Sequence, residues 1–194
     1  MVAVTPLPVV LRRTDLDSLG LTTHRLYALA KAGEYERVAP GIYVRAGMLD
    51  DTTAGWASIA CRNRAATLCL LSALALHDLT DEIPRASDIA LPRGERPLTT
   101  RFATIKWHSF DRATFALGRT ERDVVEGITI GIYSAERTIV DAYRLRHDIG
   151  ADIANEALKR WLRRRGSTPA TLLDIGMSFP KALPAVRAAL EVLL

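Results

Sequence analysis

The chain has 194 residues, of which 48% are apolar and 25% are charged, a composition that is ordinary for a folded protein of one large or two small domains. The sequence has no apolar run of about 18 residues, which argues against a membrane-spanning helix. Residues 1–13 carry their charge after the apolar part, the reverse of a signal peptide. We therefore expect a cytoplasmic protein. The formal net charge of +4 favours acidic partners only mildly, whereas a protein that binds only DNA is usually more basic.

The first twenty residues predict short helical segments. The stretch "VVLRR", residues 9–13, is expected to form one or two helical turns. The stretch "TDLDSLG" is predicted to be a short helix, because Thr14 is a favourable N-cap and Gly20 suits the position just past a helix C-terminus.

A second helix is predicted over residues 22–32, capped by Thr22 or Thr23 and ended by Gly33. Its apolar residues form a narrow stripe: Leu26, Leu29 and Ala30. Two short helices joined by a glycine-containing turn are typical of a helix-turn-helix.

A tight hairpin follows at once. Beyond Gly33 the apolar residues alternate around the turn "APG", where Pro40 fixes φ and Gly41 tolerates a positive φ. A helix-turn-helix followed by a two-stranded ribbon is the order of elements in a winged helix, so we predict a winged helix-turn-helix DNA-binding domain over residues 1–50. The alternative is a small α+β unit whose hairpin only covers a core.

Residues 51–194 predict a C-terminal α+β domain, which makes the whole chain α+β. The predicted elements are helices in 52–65 and 67–79, strands near 88–94 and 101–110, a hairpin in 123–134 and four further helices to the end. The small sheet is expected to be mostly antiparallel. Cys61 and Cys69 are interpreted as small apolar residues, because neither has the spacing of a zinc site and a helix would hold them too far apart for a disulfide.

Catalytic motifs are missing from the sequence. It has no GxxxxGK[ST], HExxH or GxSxG. Lys106 lacks the carboxylate that a restriction-type nuclease requires two residues earlier, because Thr104 stands there. The His-Asp pairs at 77–78 and 147–148 fall at predicted helix ends, where histidine satisfies the last carbonyls. We expect no enzyme activity, no metal and no cofactor.

The outer side of helix 22–32 is the candidate DNA-binding surface. If this helix enters a major groove, Arg25 can bind guanine through two hydrogen bonds, and Arg37 on the wing can touch the backbone or the minor groove. The predicted DNA-binding residues are Thr22, Thr23, His24, Arg25, Tyr27, Lys31 and Arg37, with Arg12, Arg13 and Arg45 as additional phosphate contacts. Each of these charges has the alternative interpretation of a solvated side chain. Residues 1–50 carry six Lys or Arg against five Asp or Glu, which predicts weak binding by one copy and favours a homodimer or cooperative binding.

A second basic patch lies at the end of a predicted helix and consists of Lys159, Arg160, Arg163, Arg164 and Arg165. Positive charge is favourable at a helix C-terminus. Five cations within seven residues exceed that need, so the patch is also a candidate for docking an acidic protein surface or nucleic acid.

Three segments, taken in order, resemble one family, the AbiEi-type antitoxins of bacterial toxin–antitoxin systems. They are "LGLTTHRLYALAKAGEYERVAPGIYV" at residues 19–44, "SALALHDL" at 72–79 and "GITIGIYSAERTIVDAYR" at 127–144. In the last segment Arg137 and Thr138 precede an apolar position and an aspartate, as in the family. With the order of elements, the resemblance covers most of residues 10–165.

The resemblance implies a protein with two functions. A winged helix represses the operon by binding direct or inverted repeats in its promoter, and a C-terminal domain counteracts a cognate toxin, typically a nucleotidyltransferase of the AbiEii type. It implies that helix 22–32 and the wing at Arg37 read DNA, and it gives Arg137 and Asp141 a structural role as a salt bridge. The patch around Lys159 becomes a candidate for toxin docking, because the metal-binding pocket of a nucleotidyltransferase is acidic.

Our leading expectation is therefore a non-enzymatic antitoxin that neutralises a nucleotidyltransferase toxin and autorepresses its operon. The alternative is a stand-alone winged-helix transcriptional regulator whose C-terminal domain senses a ligand or oligomerises. An enzyme acting on nucleic acid is the third possibility.

Overall fold

The computed structural model describes residues 7–194, so the expectations for residues 1–6 lie outside the described part. The fold is α+β, as predicted. The chain divides into two compact units. Unit 1 takes the described residues through Arg64 with Leu98–Ala103 and Arg122–Ile130, and unit 2 takes Ala65–Pro97, Thr104–Glu121 and Gly131–Leu194. Such units describe packing, and the functional division at residue 50 stays a prediction.

Unit 1 contains a three-stranded antiparallel sheet and two α-helices. Its elements are β1 (Val10–Arg12), two 3₁₀ turns (Arg13–Asp15 and Asp17–Leu19), α1 (Thr23–Lys31), β2 (Tyr35–Ala39), β3 (Ile42–Arg45) and α2 (Asp51–Ala60). The strand order is β1-β3-β2. The chain therefore passes from a first strand through the turns and α1 before it returns as a hairpin beside that strand.

Residues 9–20 differ from the prediction. Residues 10–12 form strand β1 instead of helical turns, because pairing Leu11 with Tyr43 of β3 buries Leu11 completely. The segment around Asp15 and Asp17 forms 3₁₀ turns instead of an α-helix. A seven-residue segment is too short to offset the cost of helix nucleation, and Asp and Ser side chains favour local turns. Ser18 donates its hydroxyl to the Asp15 carbonyl, 2.7 Å away.

Helix α1 and the hairpin follow the prediction. The Thr22 hydroxyl accepts the Arg25 amide at 3.1 Å, which identifies Thr22 as the N-cap. Gly33, at φ +76°, follows the C-cap residue of α1 and ends the helix. Strand β2 has a bulge at Val38, so Val38 and Ala39 are both buried and the simple alternation is broken.

Unit 2 is built on a five-stranded sheet covered by helices. Its strands are β4 (Thr67–Leu68), β5 (Ser87–Pro92), β6 (Ile105–Phe110), β7 (Arg119–Val125) and β8 (Ile128–Tyr133), in the order β6-β5-β4-β8-β7. Its helices are α3 (Leu70–Leu76), α4 (Arg112–Phe115), α5 (Ala135–Arg144), α6 (Arg146–Ile149), α7 (Ala151–Leu162), α8 (Pro169–Met177) and α9 (Leu183–Leu193). The outer part of the β7–β8 hairpin, residues 122–130, belongs to unit 1.

The strand pairing in this sheet and the start of α3 differ from the prediction. The sheet is mixed, because β4 pairs with β8 and β5 pairs with β6 in parallel. The twelve residues between β5 and β6 are long enough for a parallel return, which a tight hairpin does not allow. The apolar stretch 67–79 is also divided, because Thr67 and Leu68 join the sheet before α3 begins.

Helix α5 lies at the centre of unit 2 and contacts α3, α7, α8 and α9. It begins at Ser134, whose hydroxyl accepts the Arg137 amide at 3.2 Å, as expected of an N-cap. The core around it includes Ile139, Val140 and Trp161, all nearly inaccessible to solvent. Over residues 7–194, no helix is both long and apolar enough to cross a membrane.

Candidate nucleic-acid interface

Helix α1 separates an apolar side from a polar side. Leu26 and Leu29 are buried in the core of unit 1 together with Leu11 and Tyr35. On the opposite side His24, Tyr27 and Lys31 are exposed. Their spacing of i, i+3 and i+7 places them in one stripe along the helix. Tyr27 is 50% exposed, which is unusual for a large aromatic residue with no partner to cover it.

Arg25 is exposed but lies at the edge of this stripe. It is four residues before Leu29 and therefore stands on the same side of the helix as a buried residue. Its side chain borders the core on one side and the His24–Lys31 stripe on the other. An arginine side chain at the flank of the helix is long enough to contact a ligand that lies against the exposed stripe.

The N-terminal end of α1 is suited to an anion. Its first turn contains no acidic residue, so the positive end of the helix dipole is not neutralised by the helix itself. Thr22 already uses its hydroxyl oxygen to accept the Arg25 amide, although its hydroxyl hydrogen is still available to a phosphate. Thr23 is half-buried and is the least accessible of the predicted contacts.

The β2–β3 hairpin, which is the predicted wing, is held on the rest of the sheet by its turn. Gly41, at φ +73°, provides its carbonyl to the Arg13 amide at 2.8 Å. Arg37 is exposed on β2, where its backbone pairs with Tyr43 of β3, and within the described chain its side chain makes no hydrogen bond or ion pair. The predicted wing contact is thus available to a ligand.

The three additional arginines differ from one another. Arg12 donates to the Gly127 carbonyl and Arg45 to the Leu7 carbonyl, so both guanidinium groups anchor the fold of unit 1. Arg13 is exposed. Neutral carbonyl acceptors leave the positive charge of Arg12 and Arg45 uncompensated, so both still contribute to the electrostatic potential of this unit.

The basic patch of unit 2 is partly occupied by internal contacts. Arg160 binds both carboxylate oxygens of Asp81, with Nη1 at 2.8 Å from Oδ1, and its Nε lies 2.9 Å from Glu156 Oε1. Hydrogen bonding to Arg160 lowers the pKa of Asp81 below its ordinary value. Arg164 donates to the His77 carbonyl. Lys159, Arg163 and Arg165 are exposed, and they are the members of the patch that are open to a partner.

Arg137 and Asp141 form the expected salt bridge, with Nε 2.9 Å from Oδ2, and both side chains are completely buried. Arg137 Nη1 also donates to the carbonyls of Thr114 and Leu117, each at 2.7 Å. Its guanidinium carbon lies 4.3 Å from the ring centre of Tyr133. Burial raises the pKa of Asp141, although the adjacent arginines oppose this effect. This geometry gives the Arg137–Asp141 pair a structural role in unit 2.

The His-Asp contact that forms in unit 2 is not one of the two pairs predicted at helix ends. His77 Nε2 lies 2.8 Å from the Tyr133 carbonyl. A different pair forms between strands, where His108 Nε2 lies 2.7 Å from Asp88 Oδ1. Nothing in the sequence shows that β5 and β6 are neighbours, so this contact could not be predicted. Among residues 7–194, no group of three or more His, Cys, Asp or Glu is placed to hold a metal ion.

The comparisons with known proteins agree with part of the resemblance. Residues 8–46 match the family described as "Transcriptional regulator, AbiEi antitoxin", which confirms the resemblance over the first of its three segments. The crystal structure of the RV2827C protein from Mycobacterium tuberculosis is similar to 94% of this chain, over 76% of its own length, with 20% identity and a TM-score of 0.49. No curated protein matches the chain.

Proposed function

We propose that this protein is an antitoxin of a bacterial toxin–antitoxin system and a repressor of its own operon, acting by binding and not by catalysis. Its winged helix, residues 1–50, binds repeats in the promoter. Residues 51–194 neutralise a nucleotidyltransferase toxin encoded beside it. A protein that binds its own promoter in a bacterium works in the cytoplasm.

The observation that carries the DNA-binding part is the exposed stripe of α1 within the segment that matches the AbiEi regulators. The order β1, turns, α1, β2 and β3, with β1 beside β3, places a helix directly before a ribbon, as a winged helix requires. The first helix of a helix-turn-helix is represented here by two 3₁₀ turns. Such turns can still fix the start of α1, because Leu16 packs in the same core as Leu26.

The toxin-neutralising part depends on the surface of unit 2. Lys159, Arg163 and Arg165 remain exposed and provide positive charge for an acidic toxin surface. Asp81 and Glu156 lie beside Arg160 and make this region mixed in charge. Docking is therefore proposed to depend on the three exposed cations, with Arg160 and Arg164 holding the helix end in place.

The test is the growth of a host that expresses the adjacent open reading frame, with and without this chain. Two full-length variants are included, one with His24, Tyr27 and Lys31 changed to Ala and one with Lys159, Arg163 and Arg165 changed to Glu. We expect the first variant to relieve toxicity and lose repression of a promoter fusion. We expect the second to repress and fail to relieve toxicity.

Other results of this experiment would contradict different parts of the proposal. A harmless neighbour, or toxicity that persists although the wild-type chain is well expressed, would contradict the antitoxin proposal. Repression alone would then favour the stand-alone regulator. Equal loss of both activities in both folded variants would contradict the assignment of the two functions to separate surfaces.

A further inference from the structure

A cleft of about 360 Å³ lies in unit 1 beside the wing turn. Three arginines line it, Arg37 from β2, Arg62 just beyond α2, and Arg101 from the returning segment 98–103. We call it the arginine cleft. The three residues come from distant parts of the sequence, so no local motif marks this site.

Arg62 is held in place by uncharged groups. Its Nε donates to the Ser58 carbonyl at 2.8 Å and its Nη2 to the Thr99 carbonyl at 2.6 Å. Nη2 also lies 3.3 Å from the Ser58 hydroxyl. These bonds orient the guanidinium without neutralising it. Its Nη1 donates to no group of the described chain and is left for a ligand.

Arg101 is oriented by an aromatic ring and a weak ion pair. Its guanidinium carbon lies 4.8 Å from the ring centre of Phe102, and its Nη2 is 3.3 Å from Glu36 Oε1. Both members of this ion pair are more than half exposed. An exposed pair contributes little in water, so an incoming anion can replace Glu36 at small cost.

The other lining groups also suit an anion. Thr99 and Thr100, whose hydroxyls can donate hydrogen bonds, also line the cleft, and none of the described lining residues is acidic. Three guanidinium groups around one concave surface, with hydroxyl donors beside them, are the set that binds phosphate. Because Arg37 belongs both to the wing and to this cleft, the two surfaces are continuous.

We infer that the arginine cleft binds a phosphate of the DNA backbone next to the groove that the wing enters. The inference rests on the proposed function, and it extends the DNA interface to Arg62 and Arg101, beyond residues 1–50. It also helps explain how a unit with a nearly balanced charge can hold DNA, because the cleft concentrates three of its arginines at one place.

The test measures the affinity of the full-length chain for a duplex of its own promoter at several salt concentrations. The Arg62→Ala/Arg101→Ala variant is compared with Lys181→Ala/Arg187→Ala, which removes the same charge from two exposed positions of unit 2. Each phosphate contact contributes roughly 0.9 to the slope of log K against log salt. We expect the cleft variant to lose about 0.9 from the slope, as for one phosphate, and to bind on the order of 8-fold more weakly at 0.1 M salt. The control is expected to keep the wild-type slope.

An Arg62→Lys/Arg101→Lys variant distinguishes charge from folding, because it keeps the charge and should recover most of the slope. A wild-type chain that binds no promoter DNA would contradict the proposed function and this inference together. A wild-type chain that binds, with a cleft variant of unchanged slope, would overturn the inference alone. The inference would also be overturned if inorganic phosphate raised the melting temperature of the wild type only, with DNA binding equal in both, because the cleft would then serve a small anion.

Discussion

The predicted DNA contacts differ in the kind of recognition that their positions allow. Arg25 stands at the flank of α1, near the helix N-terminus, where a side chain can reach a base edge. Arg37 stands on the wing, which meets the backbone in such domains. Base contacts specify a sequence, whereas phosphate contacts add affinity for any duplex. Substitutions of Arg25 and Arg37 are therefore expected to change DNA binding in different ways.

Arg25→Ala is expected to weaken binding to the promoter by about 10- to 100-fold and to leave the affinity for an unrelated duplex nearly unchanged. Arg37→Ala is expected to weaken both equally and to lower the salt slope by about 1. Fluorescence anisotropy on both duplexes measures the two effects. Equal weakening on both duplexes by Arg25→Ala would show that Arg25 contacts only the backbone.

Arg137 is the residue of unit 2 whose removal should be most damaging. Arg137→Ala removes one of the two arginines that pair with the buried Asp141 carboxylate, the other being Arg144 at 2.9 Å, and it empties the space of a fully buried side chain. We therefore expect the free energy of unfolding to fall by about 3–5 kcal/mol. Arg163→Ala, at an exposed position of the same unit, should change it by less than about 0.5 kcal/mol. Urea denaturation measures both, and similar midpoints would contradict the structural role of the buried pair.

At the scale of elements, helix ends were the most predictable features. The sequence offers Thr22 as a cap of α1, and Asp50 and Ser134 are residue types that favour the N-cap; each of the three accepts an amide hydrogen at the start of its helix. Strand partners were much less predictable. The pairing of β5 with β6 in parallel depends on contacts between distant residues, and local sequence patterns contain no information about them.

Asp50 gives a test with a pH dependence. The Thr53 amide, 2.7 Å from its carboxylate, lowers the pKa of Asp50 below 3.8, so the cap stabilises α2 when it is ionised. Asp50→Ala should cost about 1 kcal/mol at pH 7. Because the folded-state pKa is the lower one, the stabilisation is present above 3.8 and is lost as the pH falls through the folded-state pKa. Asp50→Asn caps without titrating and should lack this acid dependence, and thermal unfolding from pH 7 to pH 3 compares them.

Gly131 tests the packing between β4 and β8. A Cβ at this position would lie 2.5 Å from Arg119 Nη2 and 2.6 Å from Thr67 Oγ1. Both atoms belong to a partly buried junction in which Arg119 Nε donates to Thr67 Oγ1 at 2.8 Å. Gly131→Ala is therefore expected to destabilise the protein by about 1–3 kcal/mol. An unchanged denaturation midpoint would show that the Arg119 and Thr67 side chains shift to accommodate the added methyl group at little cost.

For the molecule as a whole, the sequence predicted the class of fold, whereas the packing of distant segments into one compact unit could not be predicted. The α+β class, α1 and the hairpin follow from local periodicity and turn residues. Segments 98–103 and 122–130 belong to the same compact unit as α1, although they lie far away in the sequence. Arg62 and Arg101 could not be identified as site residues for that reason.

The positive charge of the chain is concentrated at its C-terminal end. Residues 155–194 carry seven Lys or Arg against three Asp or Glu, whereas residues 1–50 are nearly balanced. A single copy is therefore expected to bind DNA weakly, and a promoter with repeated sites should recruit two copies cooperatively. A homodimer would give the same advantage by raising the effective concentration of the second winged helix.

The most direct test of the account is the affinity of the full-length chain for its own promoter duplex, measured against a duplex of scrambled sequence. The comparison is repeated with the variant in which His24, Tyr27 and Lys31 are changed to Ala. We predict that the wild-type chain prefers the promoter and that the variant loses this preference while its melting temperature stays the same. A wild-type chain that does not bind the promoter, or a variant that binds it equally well, would contradict the assignment of α1 as the helix that reads DNA.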